Sequence, residues 1–93
     1  MISLKEAKIG ANGNYILKEK NLYKVIVKSY INRHYKLNDC FYVLCIGPDK
    51  KYNDAFNCTG YYKMIHSRFG IITSGYGEKS LADSTYFQYF QMI

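Results

Sequence analysis

The chain has no tryptophan, a single proline and three cysteines, and only two of its basic residues are arginine. Each shortage excludes something. An odd cysteine count argues against a disulfide framework. The paired CxxC spacing of zinc ribbons is missing as well. Cys40 and Cys45 stand five apart, so on a regular strand they project to opposite faces and cannot share an ion without a bulge. Cys40, Cys45 and Cys58 are therefore expected to be structural thiols, with neither metal nor disulfide. One proline, Pro48, and no low-complexity tract leave no place for a linker. The 93 residues are read as one domain, 1–93, with a single modest core. No run approaches the roughly 18 apolar residues of a transmembrane helix. The opening MISLKEAKIGANG lacks the basic and apolar regions of a secretory signal. The expectation is a cytoplasmic protein, of a cell or an infected host, with no membrane partner. Asn57-Cys58-Thr59 matches a glycosylation sequon, which without a secretory route is a chance match.

Acids are scarce too, seven against 13 Lys and Arg, for a formal net charge of +6. That excess favours anionic partners. Arg33 and Arg68 are the only arginines. Lysine attracts diffusely, whereas arginine reads phosphates and base edges in bidentate fashion. If nucleic acid is the partner, this composition predicts backbone contact more than sequence readout.

Catalytic sets are missing. His34 sits in a basic turn and His66 closes a strand, with no nucleophile, base and orienter visible around either. The stretch GIITSGYGEKS, 70–80, is glycine-rich, but Tyr76 follows Gly75 where a phosphate loop requires lysine. The chain is read as a non-enzyme without cofactor.

What the chain has in plenty is β-forming sequence. YKVIVKSY alternates, with Tyr23, Val25 and Val27 on one side and Lys24, Ile26 and Lys28 on the other. CFYVLCI, from Cys40 to Ile46, is almost continuously apolar and predicts a strand covered on both faces. Ser3 with Glu6 three residues later predicts a helical turn over SLKEAK. NYILKE reads as a short strand with Tyr15 and Leu17 on one side and Ile16 on the other. Gly47-Pro48-Asp49 is a turn, and Lys50 to Thr59 reads as a loop. Tyr61–His66 and Phe69–Thr73 form a hairpin around Ser67-Arg68, and Gly75 to Ser80 is a loop. In the final run Tyr86, Tyr89, Phe90 and Ile93 stand at helical spacing while Phe87, Tyr89 and Ile93 also fit alternation; its aromatic content favours a strand over Tyr86–Ile93. Val25, Val27, Phe41, Val43, Cys45, Ile65 and Ile71 are the expected core. The fold class is mainly β: a small, partly open antiparallel barrel of five to six short strands, because curling a short sheet leaves few exposed edges.

The segment YYKMIHSRFGIITSGYG, followed by YFQYFQMI, resembles the last strands of small SH3-like barrels among bacterial and phage accessory proteins. That resemblance covers about two-thirds of the chain and implies a binding module without catalytic residues; the fold alone does not fix the partner.

Aromatic residues make up 17% of the chain, and eleven of them are tyrosine. Several interleave with cations: Tyr30 and Tyr35 flank Arg33 and His34 with Lys36 next, Tyr52 follows Lys50 and Lys51, and Tyr61-Tyr62 precede Lys63. Single-stranded nucleic acid is held this way, with rings stacking bases and cations tracking phosphates. A protein partner uses the same mixture. Tyr30, Arg33, His34, Tyr35 and Lys36 are expected to form one partner-binding edge, since they join the two longest strands. Lys50, Lys51 and Tyr52, beyond the opposite end of the second strand, form a separate one. The partner is expected to be nucleic acid or a nucleoprotein, with inhibition or modulation of a host protein as the alternative.

Overall fold

The computed structural model describes residues 3–29, 33–74 and 80–93. Six strands form one antiparallel sheet: β1 (Leu4–Glu6), β2 (Leu22–Val27), β3 (Cys40–Pro48), β4 (Tyr62–His66), β5 (Gly70–Ser74) and β6 (Phe87–Met92). The order across the sheet is β1-β6-β2-β3-β4-β5. The mainly β, partly open antiparallel architecture is therefore present, with β1 and β5 as its edges. β6 lies inside the sheet, paired on one side with β2 and on the other with β1. That double pairing is why an aromatic run of ambiguous period becomes a strand.

The core lies on one face. Register places Tyr23, Val25 and Val27 of β2 beside Phe41, Val43 and Cys45 of β3, then Met64 and His66 of β4, with Phe87 and Tyr89 of β6 on the other flank. Tyr15 and Leu17 cover them from the connecting segments. Each large buried apolar side chain contributes roughly 1.5–3 kcal/mol relative to exposure. NYILKE is not one of the named strands: Tyr15 and Leu17 point inward and Ile16 outward as their alternation requires, with isolated bridges pairing Tyr15 with Ile9 and Asn14 with Asp83.

Four further expectations are corrected. β3 is covered on one face only: Tyr42 and Ile46 are exposed, and the strand alternates throughout. Ile65 and Ile71 are not core residues, at 42% and 66% exposed. Pairing of Met64 with Cys45 and of His66 with Val43 turns the isoleucines outward by parity. The capping-box turn is instead β1, because its backbone groups pair with the neighbouring β6. Lys50–Ala55 is a helix, α1, and not a loop.

Between Cys45 and Gly47 the register with β4 shifts by a residue, a bulge centred on Ile46. Gly47 has φ +144°, and a Cβ there would sit 3.2 Å from the Glu19 carboxylate. The bulge turns the chain into Pro48 and α1. Among the three free thiols, Cys45 is buried in the core and Cys40 lies on the outer face beside Ile26, so the two do project oppositely.

Candidate nucleic-acid interface

The second candidate group is a constructed feature. Asp49 caps α1, its carboxylate accepting from the Tyr52 N–H at 3.3 Å and from the Thr73 hydroxyl at 2.7 Å. The Thr73 bond, followed by smaller effects that include Lys63, holds the Asp49 carboxyl below the ordinary carboxylate range. The helix stops in a Schellman arrangement, with Asn57 in the left-handed region at φ +49°. The Cys58 N–H reaches the Asn53 carbonyl and the Asn57 N–H that of Asp54. Asn53, buried, turns its amide onto both backbone groups of Tyr61: Nδ2 donates to the carbonyl at 3.1 Å and Oδ1 accepts from the N–H at 2.8 Å.

That clamp fixes where Tyr61 stands. Tyr52 and Phe56, four residues apart, share a helix face, and the clamp brings Tyr61 against both. Ring centroids are 6.5 Å apart for Tyr52–Phe56, 5.4 Å for Phe56–Tyr61 and 5.7 Å for Tyr52–Tyr61, with interplanar angles of 12°, 26° and 32°. The three rings, within 32° of parallel, therefore form one contiguous aromatic cluster, or plate. Phe56 is 62% exposed and Tyr52 43%. Exposed apolar rings lose the stabilisation that burial would bring, so the fold alone does not require this arrangement. Lys51 and Lys63 are exposed near it, while Lys50 is engaged by Asp54 at 2.7 Å.

The first group behaves differently. Tyr30 lies outside the described residues. Arg33, His34 and Lys36 are exposed. Tyr35 turns inward, its ring packed against Phe41 at 5.2 Å and edge-on to Phe87 at 5.3 Å, and burial raises its phenol pKa. The driving force is the apolar body of the ring, which the open end of the core accepts. Its hydroxyl meets His66 Nε2 at 3.2 Å. Arg68 fastens the segment down: Nη1 donates to the His34 carbonyl, and Nη2 to Asp39 at 2.6 Å and to the Cys40 carbonyl at 3.1 Å. This bond to Arg68 is the first cause that lowers the Asp39 pKa. The two groups lie at opposite ends of β3, about 26 Å of strand apart, and make no common surface.

Sequence reasoning missed Phe56 and Tyr61 as partners of Tyr52, and Arg68 as the tether. An i, i+4 aromatic pair directly after an Asp N-cap was the available signal for the first.

A third surface is the outer face of the sheet. Leu22, Leu44, Ile65 and Ile71 align in a row across β2, β3, β4 and β5. Lys24 lies beyond one side of this row and Lys63 beyond the other. No helix among the described residues is long and apolar enough to cross a membrane.

No protein-family model matches the chain, and neither the curated proteins nor the solved structures contain a match.

Proposed function

We propose that this protein is a small non-catalytic binding module of the phage-accessory type that holds single-stranded nucleic acid on the Tyr52–Phe56–Tyr61 plate. The observation that carries the reading is a cluster of three rings within 32° of parallel, of which Tyr52 and Phe56 are exposed and Tyr61 is half-buried. Bases stack on such surfaces irrespective of sequence. The net charge of +6 supplies attraction to phosphate, and the shortage of arginine supports contact without base readout. Arg33 and Lys36, at the other end of β3 with His34 between them in sequence, supply a second cationic contact for a strand long enough to reach it.

The test is a fluorescence-anisotropy titration with a labelled oligothymidine of about ten nucleotides, at about 50 and 200 mM salt. Saturable binding that weakens steeply with salt supports the reading. Absence of binding at the lower salt eliminates it.

A second reading has its own support. The Leu22–Leu44–Ile65–Ile71 row is a continuous apolar stripe on a sheet face that no described residue covers, a feature of surfaces that dock other proteins. A host-protein partner held there would bind with little salt dependence.

A further inference from the structure

On the opposite flank of the sheet from the aromatic plate, β1, β6 and β2 carry a separate basic cleft. Register sets Lys5 opposite Gln91 and Gln91 opposite Tyr23, so these three form one row across three strands. The chain then returns over this row. The Ile16 N–H bonds the Lys8 carbonyl, and the Lys18 N–H donates to the Tyr23 hydroxyl at 2.9 Å. The result is a cleft of about 190 Å³ lined by Lys5, Lys8, Lys18, Gln91 and Tyr23, with Glu6 the one carboxylate on its wall.

Three ammonium-bearing chains around one small cleft repel each other, and one carboxylate does not balance them. Gln91 adds an amide that can donate, and Tyr23 a hydroxyl already oriented by the Lys18 N–H. Tyr23 is 2% exposed, so the floor is rigid core and not surface side chain. The cleft is below the size that takes a drug-like or nucleoside ligand, typically about 300 Å³ or more. It suits a compact anion with several acceptor oxygens.

We propose that this cleft is a phosphate-binding site, with Lys5, Lys8 and Lys18 as its cations and Gln91 as an amide donor. The phosphate belongs either to a small phosphorylated molecule or to the backbone of a nucleic acid. The site does not depend on the aromatic plate.

The experiment is a titration of the full chain, ¹⁵N-labelled, with inorganic phosphate at constant ionic strength, followed by amide chemical shifts. Chloride is the reference anion, and the oligothymidine is titrated in parallel. The expected result is a saturable response centred on the Gln91 side-chain amide and the backbone amides of Ala7 and Lys18. It weakens at least about tenfold in the Lys5→Gln, Lys8→Gln, Lys18→Gln triple variant, whose changed side chains are all exposed. Lys28→Gln leaves it unchanged. If the oligonucleotide displaces phosphate, the source is a nucleic-acid backbone; if phosphate remains bound, the source is a small molecule. Phosphate binding by a chain that ignores the oligonucleotide supports this site while removing the nucleic-acid reading. A response no different from that to chloride, or one spread over all lysines and retained in the triple variant, overturns the proposal. Native-like spectra of the triple variant establish that it is folded.

Discussion

Titrating stability between about pH 7.5 and pH 5 is expected to expose one buried imidazole. His66 is 2% exposed and stacks on Phe41 with centroids 4.4 Å apart. Its Nδ1 accepts the Arg68 N–H at 3.0 Å, so the neutral ring carries its proton on Nε2, which donates to the Tyr35 hydroxyl. Protonating Nδ1 destroys that acceptor and places a second positive charge beside the Arg68 guanidinium. Burial first, then Arg68, lowers the His66 pKa below its ordinary value. Tyr35 and Arg68 are the ionisable groups against the ring, and Arg68 is itself paired with Asp39. The native state thus resists a proton that the unfolded chain accepts near pH 6.5, and stability declines as pH falls below about that value. One such group sets a limiting slope of about 1.4 kcal/mol per pH unit, which ends once the folded pKa is passed. Asp39 and Asp49, both lowered, hold their contribution down to about pH 4 and lose it only below, so the two windows separate. The assay is urea unfolding in a His34→Gln background, which leaves one imidazole. His66→Asn retains an acceptor for Arg68 but cannot titrate. It should lower stability at neutral pH by about 2–3 kcal/mol through lost ring packing, and flatten the slope. A native chain equally stable at both ends of the range, or an Asn variant with the native slope, would refute the reasoning.

Three further outcomes follow from named contacts. Tyr35→Ala should cost about 3 kcal/mol of stability by opening the Phe41–Phe87 cluster, whereas Tyr35→Phe should cost about 1 kcal/mol; paired chemical denaturation distinguishes them. Asn53→Ala, which removes both bonds to Tyr61, should destabilise by about 2 kcal/mol and broaden the Tyr61 ring signals in NMR spectra. Gly47→Ala should lower the urea midpoint by the equivalent of at least about 1 kcal/mol, given φ +144° and the Glu19 carboxylate beside the new methyl.

Much of the architecture was legible because alternation is a local signal. β2, β4, β5 and β6 lie within a residue or two of where the apolar runs put them, except that β2 ends at Val27, short of the end of the YKVIVKSY run. What alternation does not say is which parity faces inward. In β4 Tyr62, Met64 and His66 share one parity and Lys63 and Ile65 the other, and pairing with Val43 and Cys45 turns Met64 and His66 inward and leaves Ile65 outside beside Lys63. The continuous apolar run of β3 predicted two covered faces, yet nothing in the described chain covers the outer one. For α1, KKYNDA has no apolar period; its Asp49 cap is local, while the Thr73 bond to Asp49 and the Asn53 clamp on Tyr61 hold it from further along the chain. Lys50, Lys51 and Tyr52 could be picked out by composition. Their relation to Phe56 and Tyr61 could not, since it depends on one buried amide reaching eight residues along the chain. Tyr35 was selected for its cationic neighbours, while its position is decided by four rings that come from β3, β4, β6 and the Ser67–Phe69 turn.

The plate itself is tested most directly by one substitution. Phe56 is the most exposed of its three rings, so Phe56→Ala should leave the urea midpoint nearly unchanged. If bases stack on the plate, the same change should weaken binding of the labelled oligothymidine by about 1–3 kcal/mol, at least fivefold in affinity. The salt slope should stay as it is, because no cation has been removed. A folded Phe56→Ala variant that binds the oligonucleotide as tightly as the native chain would contradict the account.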